Sequence, residues 1–270
     1  MSRDSQHLAP GEGDRTGQVR AVVRAMTLLR EIAAAEGPGL TLTEVAERAG
    51  LPPSTTHRLL TTLESERFVR YDVAAGTWQI GVTAFVTGSA FVRTRNLLML
   101  AKPYLRRLVD LTGETSNILV ENGGEVVCLD QAESRHTMRA ITQVGGRMPM
   151  HASGSGKILL ALMSRDRREA VLGGHPLDAL TPNTITDPER LERELAEARQ
   201  RGVAFDDEEH AAGLRCAAAP IWSETGQPVA AVSVSGPAAR LTDDRLQELA
   251  DQVARVAADI TAEFGGRPGR

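Results

Sequence analysis

The sequence predicts an α+β protein of two domains, a winged helix-turn-helix followed by a linker helix and a mixed-sheet domain. Three observations predict it. The chain has 270 residues, enough for two modest cores. Its first hundred residues hold three apolar stripes of helical period followed by one short alternating hairpin. Beyond them, strand-like runs separated by Gly-containing turns lead to a closing amphipathic stretch.

Residues 1–17 are polar and rich in Gly, Ser and Asp, which predicts a disordered arm. From 18 to 81 the helix-turn-helix follows. Val19, Val22, Val23, Met26, Leu29 and Ile32 recur at three- and four-residue steps, the stripe of a first helix. Thr41 and Glu44 have capping-box spacing and open a second, short helix, which Gly50 closes. "LPPSTTHRLLTTLESE" is the third, with Pro53 tolerated in the first turn and Thr56, Leu59, Leu60 and Leu63 inward. "RFVRYDVAAGTWQI" then alternates on both sides of a turn, as the hairpin of a wing should. The outer face of the third helix is made of short hydrogen-bonding groups and a guanidinium, suited to a groove of double-stranded DNA. The candidate DNA contacts are Ser54, Thr55, Thr56, His57, Arg58 and Thr62, with Arg67 and Arg70 near the wing.

Residues 82–95 predict a linker helix, and "NLLMLAKPYLRRLVDLTG" a further helix that starts the second domain, 96–264. "TSNILVENGGEVVCLDQAE" reads as two strands across Asn122-Gly123-Gly124, with another strand expected over 139–144. Helices are expected from about Ser153 to Leu162 and from Pro188 to Gln200, and strands at Cys216–Trp222 and Val229–Ser235. A last helix starts at Thr242 as N-cap, with Asp243 and Asp244 in its first turn and Leu246, Leu249, Val253, Val256 and Ile260 inward. Residues 265–270 are left as a flexible tail.

Composition narrows the function. Two cysteines without Cys/His pairing exclude a structural zinc or disulfide framework, and the absence of a long apolar run predicts a cytoplasmic protein. A net charge of −4 argues against wholesale coating of nucleic acid, and residues 18–82 carry seven Arg against seven Asp or Glu. Nonspecific phosphate attraction is therefore weak, and binding is expected to rest on Arg58, the hydroxyls and several half-sites held by an oligomer. "HASGSGK" departs from a phosphate loop, because His151 stands at the first glycine and Ile158 follows the lysine. It fits instead a Gly/Ser-rich helix start whose unpaired N–H groups suit a carboxylate, with Lys157 expected as a surface charge. "FDDEEHAAGLRC" admits three readings: a metal held by His151, His210 and the carboxylates, Cys216 as nucleophile with a histidine base, or a pocket that binds without reacting. Against the second, Cys216 opens an apolar strand beside carboxylates, which raise a thiol's pKa.

"LTLTEVAERAGLPPSTTHRLLTTLESERFV", "MPMHASGSGKILLA", "FDDEEHAAGLRCAAAPI" and "AAVSVSGP", in this order and spacing, closely resemble the IclR family of bacterial transcriptional regulators over about residues 18–264. The resemblance implies a DNA-binding first domain, a GAF-like effector domain, assembly as a homodimer or dimer of dimers, no enzymatic activity and no cofactor. It further implies that Gly154, Ser155, Asp206, Cys216, Ser233 and Ser235 contact a small 2-oxo or 2-hydroxy monocarboxylate, glyoxylate first and pyruvate or glycolate next, with Met138, Ile141, Met148 and Met150 as candidate walls.

Overall fold

The computed structural model describes residues 19–35, 37–94, 97–140, 142–173 and 176–269. The arm at 1–17, Arg95 at the linker's end, Ile141 and Arg270 lie outside them. The chain divides into two units between Thr94 and Arg95.

The first unit holds α1 (Arg20–Ala33), α2 (Leu42–Ala49), α3 (Pro53–Ser65), β1 (Val69–Asp72), β2 (Thr77–Ile80) and α4 (Val82–Thr94). The expected capping box is present, with Thr41 and Glu44 satisfying each other's backbone N–H groups. Gly50 takes φ 62°, the left-handed cap that turns α2 into α3. Leu28, Ile32, Val45, Leu60, Leu63, Val69 and Trp78 close one core. The hairpin is antiparallel, with Arg70 opposite Gln79. It also gains a third edge, because Leu40 and Trp78 exchange both backbone hydrogen bonds, at 3.1 and 2.7 Å.

The second unit is built on a six-stranded antiparallel sheet of order β5-β4-β3-β8-β7-β6. The strands are β3 (Thr115–Asn122), β4 (Glu125–Ala132), β5 (Arg147–Pro149), β6 (Ala204–Asp207), β7 (Leu214–Trp222) and β8 (Pro228–Pro237). Leu119, Ala218 and Ala231 of the sheet pack with α6 (Gly154–Leu162) and α8 (Pro188–Arg201) through Ile158, Leu160, Leu191 and Leu195. Against β3 and β7 pack α5 (Leu97–Thr112) and α9 (Asp243–Glu263), the latter capped by Thr242 as its sequence requires. A further helix, α7 (Arg165–Leu172), precedes α8.

Three expectations are corrected. The alternation at 139–144 forms no strand among the described residues; the pairing partner of β4 is β5, at Arg147–Pro149. Residues 265–269 fold back instead of hanging free: Arg267 N–H donates to Ser223 O, and Gly266 lies so close to Trp222 that no side chain would fit. Lys157 is no surface charge. It is 1% exposed, with its ammonium on Glu209 Oε1 and 3.9 Å from Glu194 Oε1.

The start of α6 is wedged onto the preceding 3-10 turn (Met150–Ala152). A Cβ on Gly156 would sit 2.3 Å from Met150 O and 2.4 Å from its Cα, both backbone atoms. Gly156→Ala is therefore expected to lower stability by about 1–3 kcal/mol, the usual cost of overpacking, as read from denaturant melts. Wild-type stability in that variant would show that the turn yields.

Candidate functional site

The exposed face of α3 carries Ser54, His57, Arg58 and Thr62, with Thr55 half-buried and Arg67 and Arg70 exposed at the start of the wing. Thr56 is corrected: it is fully buried and its hydroxyl donates to Pro52 O at 3.2 Å, so it belongs to the helix-turn-helix core and cannot touch DNA. Thr62 also donates its hydroxyl hydrogen to its own helix, at Arg58 O, 2.9 Å away, and Thr61 does the same to His57 O. Their oxygens remain acceptors. The donors left on this face are the Ser54 and Thr55 hydroxyls, His57 and the Arg58 guanidinium. Arg67 sits at φ 60°, and Arg70 is held across the hairpin by Gln79 Oε1. This is a compact convex face of hydrogen-bonding groups, the shape and chemistry that base edges and phosphates require.

In the second unit a cavity of about 210 Å³ opens between the sheet and the start of α6. Gly154, Ser155, Asp206, Cys216, Ser233 and Ser235 all line it. Register explains the convergence. Asp206 is paired with Cys216 and Cys216 with Ser235, so three side chains from β6, β7 and β8 stand in one row on one face. Two residues along β8, Ser233 is paired with Ala218 on one side and Asn117 on the other, which makes a second row. Gly154 lies over the first row: a Cβ there would be 3.2 Å from Ala204 O and 3.4 Å from both Asp206 N and Cys216 Sγ. Glycine thus lets the helix start approach the strands.

Ser153 caps α6 by accepting from Gly156 N–H at 3.1 Å, which leaves the N–H groups of Gly154 and Ser155 in the first turn without intrahelical acceptors. They and the positive end of the helix favour an anion. Asp206 faces this from β6. Its Oδ1 accepts from Glu209 N–H (2.8 Å) and His210 N–H (3.3 Å), yet burial outweighs these bonds and lifts the carboxyl to about 7. Burial, helped by the Asp206 charge, pushes the Cys216 thiol up to about 12, so it is a polar wall and not a nucleophile. Burial also holds His210 below the usual imidazole range, in its neutral form. Among the described residues no group of three His, Cys, Asp or Glu side chains is placed to hold a metal.

Of the expected methionine walls, Met148 lines the cavity, Met138 is exposed and Met150 is buried in the core. The sequence reading missed Asn117, Thr142 and Gln143, which also line it, and the pairing of Lys157 with Glu209. No signal in the sequence marks the first, since Asn117 ends a polar run, Thr115-Ser116-Asn117, at the start of its strand.

Sequence comparison places this geometry among known proteins. Residues 21–73 match the IclR helix-turn-helix domain, and residues 89–262 match the bacterial transcriptional regulator IclR C-terminal domain. The chain is 46% identical to the transcriptional repressor IclR of Escherichia coli (strain K12) over 93% of its own length and 92% of that protein's. It is 44% identical to the acetate operon repressor of Salmonella typhimurium, again over 93% of this chain and 92% of the other. Among solved structures, an IclR homologue from Microbacterium hydrocarbonoxydans complexed with 4-hydroxybenzoate superposes with a TM-score of 0.79 at 28% identity, covering 90% of this chain and 98% of the other. No helix among the described residues is long and apolar enough to cross a membrane.

Proposed function

Because the chain belongs to the IclR family of bacterial transcriptional regulators, we propose that it is an operator-binding repressor whose second unit senses a small 2-oxo or 2-hydroxy monocarboxylate, with glyoxylate the first candidate and pyruvate or glycolate next. The observation that carries the reading is the convergence of Gly154, Ser155, Asp206, Cys216, Ser233 and Ser235 on one cavity. The ligand carboxylate lies at the N–H groups of Gly154 and Ser155 and the serine hydroxyls, and Asp206 takes the hydroxyl or hydrated carbonyl at carbon two. Control of a carbon-metabolism operon is consistent with a relative that is an acetate operon repressor.

Effector and operator are linked because a ligand that prefers one of two arrangements shifts their populations. A homodimer or dimer of dimers presents two or more reading heads, so the operator is palindromic or repeated. Calorimetry with glyoxylate, pyruvate and glycolate tests the sensor. Absence of binding to all three, or normal glyoxylate binding by Asp206→Ala and Ser235→Ala, would remove this assignment. For the DNA face, Arg58→Ala is expected to weaken operator binding about tenfold or more while barely changing affinity for random DNA, measured by gel shift at fixed salt. Equal losses on both DNAs would make Arg58 a phosphate contact only.

A further inference from the structure

The cavity is larger than the ligand just assigned to it. A glyoxylate-sized anion has the bulk of about three waters at ~30 Å³ each, whereas the cavity measures about 210 Å³. The unused space lies along the second row, toward β3, where Asn117, Leu119, Thr142, Gln143 and Met148 line it. Asn117 is 2% exposed, and its Oδ1 is buried without a hydrogen-bond partner. Its cross-strand neighbour on β4 is Gln131, whose Oε1 is buried and unpartnered too. Two adjacent amide oxygens without donors are costly to bury, and of the two residues Asn117 lines the cavity.

We propose that Asn117 forms a second subsite, which receives an uncharged hydrogen-bond donor, a carboxamide or hydroxyl, at the far end of a monocarboxylate ligand. The inference rests on the carboxylate being held at Gly154 and Ser155, as above, and extends the ligand class from two-carbon acids to longer ones. Charge decides against an ammonium. Among the groups lining this end, Asn117, Thr142 and Gln143 are neutral, and the Arg147 guanidinium is already on Glu125 Oε2 (2.6 Å) and Asn122 O (3.1 Å). A cation there would be buried beside no carboxylate of its own. Length follows from the sheet. Cys216 and Asn117 lie two strands apart and two residues along, about 12 Å between backbones at ~4.8 Å per strand and ~3.4 Å per residue. Less the reach of the side chains, that leaves room for about two to four atoms between the carboxylate and the donor group. Succinamate fits this description. Butyrate has a similar length and no terminal donor.

The test is calorimetry of the full-length protein with succinamate, butyrate and glyoxylate, repeated on Asn117→Leu and, should that variant fold poorly, on Asn117→Ala. Wild type is expected to bind succinamate about tenfold more tightly than butyrate, and the variant to bring that ratio close to one. The ratio is read within each protein, so a general loosening of the cavity does not imitate the effect. Equal affinities for succinamate and butyrate in wild type overturn the proposal, as does an unchanged ratio in both variants. Glyoxylate separates this from the sensor assignment. Binding of glyoxylate with no advantage for succinamate removes the Asn117 subsite alone, a succinamate advantage without glyoxylate binding removes glyoxylate alone, and no binding of any acid removes both.

Discussion

Lys157→Met is expected to destabilise the second unit by about 3–5 kcal/mol, because it leaves the Glu209 carboxylate buried without its cation. The two side chains are 1% and 7% exposed, so the abandoned carboxylate would be poorly solvated. Burial already raises the Glu209 carboxyl against the pull of Lys157. Without the lysine it rises further, so the penalty should be smaller at acid pH, where the group is neutral, and grow as pH increases. Replacing both partners, Lys157→Met with Glu209→Leu, should recover most of the loss, since no buried charge remains. Urea melts at pH 5 and pH 8 on wild type and the two variants would show this. A single variant as stable as wild type at pH 8 would mean that the pair contributes nothing.

The second large effect concerns Asp206. Burial lifts its carboxyl to about 7, and an incoming ligand carboxylate repels the charged form and raises that value further. Below pH 7 the site is mostly protonated and ligand binding takes up little. Above it, binding must take up close to one proton, so glyoxylate affinity falls about tenfold per pH unit. Of the other groups facing Asp206, the Cys216 thiol stays neutral to about 12 and burial holds His210 below the usual imidazole range, while the Glu209 carboxylate adds repulsion that raises Asp206. Lys157 is occupied by Glu209. Calorimetry in two buffers of different ionisation enthalpy measures the uptake directly. Asp206→Asn should bind with no such uptake and a flat pH profile, and the same uptake in that variant would place the proton elsewhere.

Local periodicity made much of this legible. The stripe of α3, the capping box, the Gly50 turn and the long closing helix are short-range patterns, and each stands where its residues put it, whereas the stripe of α1 forms a helix but leaves Val19, Val22, Val23 and Met26 exposed, with Leu28 and Ile32 as its buried residues. What escaped was long-range. Lys157 reads as a surface charge because its partner is 52 positions away. Asn117 ends the polar run Thr115-Ser116-Asn117, which reads as solvent-facing, and only the packed structure shows that it is buried and lines the cavity. Thr56 combined a polar name with an inward position, and the position decided. The four residues of β6 were hidden by their own carboxylates, since "AFDD" shows no apolar alternation and is fixed as an edge by pairing with β7.

The paired backbone bonds between Leu40 and Trp78 have a practical corollary for dissecting the first unit. Pro38 O adds two more anchors, accepting from the Thr77 hydroxyl at 2.8 Å and the Gln79 amide at 2.6 Å. The short run ahead of α2 is thus a seam that stitches the hairpin to the helices. Residues inserted between Gly39 and Leu40 would retain α1 and every residue of the groove-facing helix and still disturb the stitching, leaving Arg70 to swing with a loosened hairpin.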